Sequence, residues 1–248
     1  MSKHDIELLV SYPRQRPPLT QRHKEIYAQE YLRNRAPTGR LGKLAAGLES
    51  WMHRQVAGCG GEVLEVGAGT LNHVGYEQAI AAYDVVEPLR DVYQGETAVA
   101  SVRRFYDDIS EIAQDSCYDR IVSVAVLEHL TDLPTVVARC GLLLRPGGVF
   151  AAGIPTEGGI LWGLAWRFTT GLAYRLRTGL DYGILMRHEH INDAKEILSI
   201  VEYFFETVTV ERFPLAAFHL SFYTSLKAYR PRVELCRDFL ASGRNSLV

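Results

Sequence analysis

The chain has 248 residues, 47% hydrophobic and 23% charged, with a formal net charge of -2. That is enough apolar material for one large core, and the near-balanced charge gives no electrostatic reason to expect nucleic acid as a partner. The sequence contains no apolar run of the roughly 18 residues that a spanning helix needs, and its N-terminal stretch lacks the apolar centre of a secretory signal. Cys59, Cys117, Cys140 and Cys236 form no C-x-x-C pair and have no histidine at metal-ligand spacing. Such cysteines suit reduced, mostly buried thiols in a cytoplasmic protein.

In chain order, residues 1–19 carry Pro13, Pro17 and Pro18 and read as an irregular lead-in. A helix is expected from Thr20 to Arg35, with Ile26, Tyr27, Tyr31 and Leu32 on one face, broken at Thr38-Gly39. A second, over 41–56, gathers Leu41, Leu44, Leu48, Trp51 and Met52 for packing against a sheet edge. Residues 1–57 are thus a lead-in with capping helices, and 58–248 the main domain.

That domain opens with Val63, Leu64 and Val66, a short apolar strand running into Gly67-Ala68-Gly69. The glycines remove Cβ atoms from the loop and permit backbone angles closed to other residues. A second strand, 83–86, ends in Glu87, whose carboxylate suits the hydroxyls of a ribose. Strand, glycine loop, crossover, strand and acid make half of a nucleotide-binding α/β domain. The dinucleotide pattern G-x-G-x-x-G fails because Asn72 holds the third glycine position, and no P-loop lysine follows. The pattern E-x-G-x-G, here Glu65, Gly67 and Gly69, resembles motif I of the class I S-adenosylmethionine-dependent methyltransferases.

Residues 71–82 are expected to form the first crossover helix, with Asn72 and His73 in its first turn and its free N–H groups toward the cofactor carboxylate. His73 either lines the site or is solvated. A third strand is expected over 99–105. The resemblance implies that an acid at its end holds the adenine amino group, which selects Asp108, followed by Ile109, with Asp107 in reserve; the alternative is an Asp pair capping a helix from Ser110. The cofactor set implied is Glu65, Gly67, Ala68, Gly69, Asn72, Glu87, Asp108 and Ile109.

Residues 118–126 are a β-branched run suited to a central strand buried on both faces. Leu127-Glu128-His129-Leu130 follows and resembles the family's motif after the fourth strand. Residues 123–126 should then pass the reacting sulfonium, and His129 is the first candidate for a general base, since imidazole titrates near neutral pH. A helix over 133–144 should stop at Arg145-Pro146-Gly147-Gly148 before a fifth strand over 149–154, a junction similar to that of the family.

Residues 155–192 form an insertion where the family places a substrate lid. If helical, Leu161, Leu164, Phe168, Leu172 and Leu176 share a face, with Arg167, Arg175 and Arg177 elsewhere and Trp162 and Trp166 suited to an interface. Such a face could meet a membrane surface, an apolar substrate, the protein's own core or a second copy. His188-Glu189-His190 lacks the H-E-x-x-H spacing for zinc, so no metal is expected. His190 is the second base candidate, with His188 behind it. A helix over 193–203, strands over 206–213 and 218–226, and a terminal helix over 231–240 complete the chain.

The expected fold is a doubly wound, Rossmann-like, seven-stranded, mostly parallel sheet with the last strand antiparallel, inserted between the fifth and sixth. The resemblance implies methyl transfer from S-adenosylmethionine. The acceptor expected is a small molecule, sugar or glycan-pathway intermediate, with O-methylation favoured over N-methylation. A cofactor-binding protein without catalysis and an NAD-linked oxidoreductase are the alternatives.

Overall fold

The computed structural model describes residues 3–27, 39–113, 115 and 117–242. Its centre is one sheet of seven strands in the order β3-β2-β1-β4-β5-β7-β6. The strands are β1 (Glu62–Val66), β2 (Ala82–Val86), β3 (Arg104–Tyr106), β4 (Tyr118–Val124), β5 (Leu144–Pro155), β6 (Phe205–Pro214) and β7 (Ser221–Pro231). β3, β2, β1, β4 and β5 are parallel, while β7 runs antiparallel to both β5 and β6. This is the predicted doubly wound sheet with its late strand inserted.

Alternation along each strand sorts side chains between two cores. Leu64, Val66, Ile121, Phe150 and Ile154 face one layer, which holds the helices α4 (Leu133–Leu143), α8 (Ala194–Phe204) and α9 (Val233–Ser242). Val63, Val85, Val122 and Ala151 face the other, together with Val56 of α3 (Gly39–Val56). α8 begins with a capping box: Asp193 accepts from the amides of Lys195 and Glu196, and Glu196 accepts from the Asp193 amide. Instead of lining a sheet edge, α3 crosses the face of β4, β5 and β7. Met52 fills the space a Cβ on Gly153 would need, at 2.7 Å.

Several expectations are corrected. No α-helix spans 71–82; the crossover is a single 3-10 turn, His73–Tyr76. Leu71 and Ala79 have positive φ of 60° and 48°, and the amides of Gly60 and Ala81 bond to the carbonyls of Gln78 and Gly61, so the chain crosses as a stapled loop. The third strand is confined to Arg104–Tyr106 because 97–101 coil into another 3-10 turn. The last strand starts later than expected, after the turn Phe218–Leu220.

The lead-in is not irregular throughout. It opens with α1 (Lys3–Val10), and its proline-bearing part is anchored by tertiary contacts. Leu9 and Tyr12 are buried, the Tyr12 hydroxyl donates to Asn192 Oδ1 at 2.7 Å, and Arg14 pairs with Glu196 at 2.7 Å. The helix predicted over 20–35 is helical as α2 through 21–27; Tyr31, Leu32 and Thr38 lie outside the described residues.

The insertion is helical, as α5 (Ile160–Trp166), a π-helical turn (Arg167–Gly171) and α6 (Leu172–Thr178), ending at Gly179 with φ 72°. α7 (Tyr182–Glu189) carries the chain back to the sheet. No helix among the described residues is long and apolar enough to cross a membrane.

Candidate functional site

β1 delivers the glycine loop to the C-terminal edge of the sheet, where doubly wound folds bind ligands. Gly67 and Gly69 have φ of 78° and 51°, angles that a side chain disfavours. A Cβ on Gly67 would lie 2.4 Å from Val126, so the loop and the end of β4 are in direct contact only because this residue is glycine. The Gly67 amide donates to the Val86 carbonyl at 2.8 Å, and Ser123 Oγ donates to the Val66 carbonyl at 3.0 Å, tying β1 to both neighbours.

Glu87 is buried and accepts from two backbone amides, Gly69 at 2.8 Å and Leu89 at 3.0 Å. It therefore fixes the loop that precedes it. Each oxygen keeps a second lone pair, so the carboxylate can still receive ribose hydroxyls. Asp108 accepts from the Ser110 amide at 2.7 Å and caps the turn Ile109–Glu111, and these hydrogen bonds hold its carboxyl below the usual range. Asp107 instead pairs with Arg90 at 2.9 Å. Ile109 turns its side chain into the core, Ala68 is buried and Asn72 is exposed.

Glu65 does not open to the crevice. It is 2% exposed and accepts from the Tyr83 hydroxyl at 2.8 Å, and burial pushes its carboxyl up to about 7. His73 is neither solvated nor at the crevice surface: it is buried, with Nε2 3.0 Å from Glu77 and Nδ1 3.1 Å from His53 Nδ1. Glu77 also contacts the Arg120 guanidinium. This buried polar layer occupies the ground where the predicted crossover helix would have packed.

The second half of the site is at the end of β4. Ala125 takes a positive φ of 54°, and Leu127–His129 form a 3-10 turn. His129 Nδ1 is 2.8 Å from the Glu189 carbonyl, and His190 Nδ1 is 3.0 Å from Glu157 Oε2. Both partners are acceptors, so both Nδ1 atoms donate, and in the neutral form of either ring the lone pair is on Nε2. The rings meet edge to face with centroids 4.8 Å apart. Burial lowers the His129 pKa, with Glu128 opposing, and so favours its neutral form. Trp162 stacks on His190 and donates to Glu157 at 2.5 Å, joining the insertion to the histidine pair.

The structure thus unites the two predicted bases, which lie far apart in sequence. His188 is turned away, with Nδ1 2.7 Å from the Pro17 carbonyl. Glu128, Glu157 and Asn192 were not singled out by sequence reasoning. Asn192 is fully buried and donates to the carbonyls of Leu127 and Leu130, each at 2.8 Å, while accepting from Tyr12. Only its place two residues after His190 could have drawn notice. Glu128 was visible within the motif, but nothing local marked its side chain as buried.

Residues 57–152 match the family described as methyltransferase domain. A curated protein of Mycolicibacterium smegmatis, named a probable S-adenosylmethionine-dependent methyltransferase, is 35% identical over 106 residues, which are 40% of this chain and 39% of that protein. The chain therefore matches well under half of that relative's length. Two solved structures are similar in fold. One is a Thermotoga maritima protein described as an S-adenosylmethionine-dependent methyltransferase, possible histamine N-methyltransferase, with TM-score 0.55, 13% identity and coverage of 84% of this chain and 96% of that one. The other, a possible exported protein from Bordetella parapertussis, has TM-score 0.53, 14% identity and coverage of 75% and 67%. The glycine loop fastened to the acid at the end of β2 lies inside the matched stretch, and residues 57–152 are a methyltransferase domain set in a fold like that of the class I S-adenosylmethionine-dependent enzymes.

Proposed function

We propose that this protein transfers the methyl group of S-adenosylmethionine to an oxygen of a small molecule, sugar or glycan-pathway intermediate. The observation that carries this reading is the contact of Gly67 with Val126, which sets the cofactor loop against the turn that bears His129. Gly67, Gly69 and Glu87 would hold the cofactor's ribose side, and Asp108 would approach the adenine. The methyl group of a sulfonium is already electrophilic, so alignment of donor and acceptor supplies most of the rate. The Nε2 atoms of His129 and His190, whose Nδ1 atoms are engaged by Glu189 and Glu157, would take the proton that an acceptor hydroxyl must lose as it attacks, and burial favours the neutral form of His129. An amine that arrives unprotonated needs less help, and for that reason a hydroxyl is the favoured acceptor.

Calorimetric titration with S-adenosylmethionine and S-adenosylhomocysteine tests the reading. Saturable one-to-one binding of both is expected, followed by turnover with a hydroxylated acceptor from a panel of nucleotide sugars and glycan fragments. Absence of binding to either sinks it.

One surface supports a lipid-proximal acceptor. Ile160, Leu164, Phe168, Leu172 and Leu176 are all exposed along the insertion, Phe168 at 72% and Leu176 at 79%, with Arg167, Arg175 and Arg177 on the same helical run. An apolar ridge with flanking arginines suits an anionic membrane surface. Co-sedimentation with phosphatidylserine-containing vesicles should be lost in the double variant Phe168→Asp, Leu176→Asp; equal pelleting of both proteins removes the membrane contact.

A further inference from the structure

The geometry points to a divalent-cation site formed by Glu128, His129 and His190. One ligand atom from each lies within 4.8 Å of the others. His129 Nε2 and Glu128 Oε1 are 3.8 Å apart, too far for a hydrogen bond, yet both face the same space. Metal–ligand bonds of about 2.1 Å put neighbouring donors roughly 3 to 4 Å apart, so a small side-chain closure completes the set.

Three further features favour a cation here. The first is orientation: the Glu189 carbonyl and the Glu157 carboxylate hold the two Nδ1–H groups and leave both Nε2 atoms as acceptors. An outer carbonyl or carboxylate on the far ring nitrogen is the usual support of a metal-bound histidine. The second is an orphaned ligand. Glu128 is 2% exposed and its Oε2 has no hydrogen-bond partner among the described residues. A buried carboxylate without a partner is costly, and a cation between it and the imidazoles would remove that cost. Glu157 and Glu49 add negative field at the same place.

The third is rigidity. The Glu128 carbonyl accepts from the amides of Ile191 and Asn192, at 2.9 and 3.2 Å, and Asn192 donates to the carbonyls of Leu127 and Leu130. The two segments that bear the ligands are thereby cross-linked on either side of the site. H-E-H spacing speaks only to two ligands on one helix, whereas these ligands come from two separate segments, so the pattern of residues alone does not reveal the site.

Two imidazoles and one carboxylate suit a borderline ion such as zinc, manganese, iron(II) or cobalt(II) better than calcium. Three protein donors leave positions open for the acceptor. The purpose of the site rests on the methyltransferase reading; its existence does not. A hydroxyl bound to the ion loses its proton to solvent more readily. Its oxygen pair then attacks the methyl carbon, the carbon–sulfur bond breaks with its pair remaining on sulfur, and S-adenosylhomocysteine leaves. The acceptor is thus a hydroxyl compound able to ligate a metal; with the ion bound, the Nε2 lone pairs are occupied by it, so the proton goes to solvent and the histidines act as ligands in place of the base role they would have without the ion.

The test uses the full chain, stripped with chelator and dialysed, without S-adenosylmethionine. Titration with zinc chloride and with cobalt(II) chloride should show one ion per chain. Glu128→Gln and His190→Gln should each weaken binding at least tenfold while S-adenosylhomocysteine still binds. Proton NMR of the cobalt(II) protein should show two hyperfine-shifted exchangeable imidazole N–H signals, a readout that holds even if a variant fails to fold. Absence of stoichiometric binding, unchanged affinity in both folded variants, or no shifted imidazole signal overturns the site. S-adenosylhomocysteine binding without metal binding removes the metal site and leaves the methyltransferase reading; the reverse result removes that reading and leaves the site.

Discussion

The crevice has two walls built on different principles. The wall at the ends of β1 and β2 is made of backbone and short-range chemistry: two glycines at positive φ and an acid whose oxygens hold the amides of Gly69 and Leu89. The wall at the end of β4 is assembled from distant side chains. His129 depends on Glu189, His190 on Glu157 and Trp162, and the turn itself on Asn192, which Tyr12 and Arg14 secure from the N-terminal segment. On the proposed function the first wall would hold the cofactor and the second the acceptor; a shared cofactor then calls for a backbone cradle, and a particular acceptor for side chains recruited from wherever the fold supplies them.

The largest expected effect breaks the first wall. Gly67→Ala forces a Cβ into Val126 and a side chain into positive φ, and should cost about 2 to 5 kcal/mol in urea unfolding while abolishing cofactor binding. Pairing it with Val126→Ala should relieve the clash but not the backbone strain; full recovery would show that only the contact matters.

The second wall has its own weak point. Asn192→Ala leaves the carbonyls of Leu127 and Leu130 and the Tyr12 hydroxyl without that partner, a loss of about 2 to 4 kcal/mol. Limited proteolysis should then cut near residues 12–16, while S-adenosylhomocysteine affinity stays within about twofold. A parallel collapse of cofactor binding would mean that the two walls are not separable.

Beneath the first wall, pH sharpens the comparison. Glu65 is raised by burial from 4.5 to about 7, so its stabilising contribution is complete below about 4.5 and lost as the pH rises through 7. His53 is lowered by burial and by His73 from 6.5 to about 4, so its contribution is present above 6.5 and lost as the pH falls through 4. The two oppose each other between these limits. Glu65→Gln removes one, and its stability should gain roughly 2 to 3 kcal/mol on the wild type between pH 5 and pH 8. Parallel pH curves for the two proteins would refute this.

The smallest effect probes the ligand alone. Glu87→Ala should weaken S-adenosylmethionine binding by about 1 to 3 kcal/mol by calorimetry, through the lost ribose contact and the loosened Gly69 amide. Unchanged affinity would move the ribose contact elsewhere.

The strand–loop–acid unit was legible because each residue's role there follows from its own backbone or its immediate neighbours. Apolar runs at 63–66 and 118–124 admit little besides buried strands, Gly67 is required by a local angle, and Asp193 caps α8 from three residues' distance. The predicted crossover helix failed where local pattern met tertiary demand. The 71–82 segment has helical spacing on paper, but His73 and Glu77 bind to His53 and Arg120, and these contacts hold the segment as a loop. Likewise 1–19 looks irregular until Leu9 and Tyr12 are buried and Arg14 finds Glu196.

By itself, then, the sequence determined the sheet, the glycine loop and the acid at Glu87, because those rest on periodicity and on steric limits acting over a few residues. Tertiary structure alone decided that Glu65 is sealed inside and that His129 faces His190. It also decided that Glu128 is buried with no hydrogen bond to Oε2 among the described residues. These are matters of which distant segments share a space, and the energies of burial and of buried hydrogen bonds that settle them have no local signature.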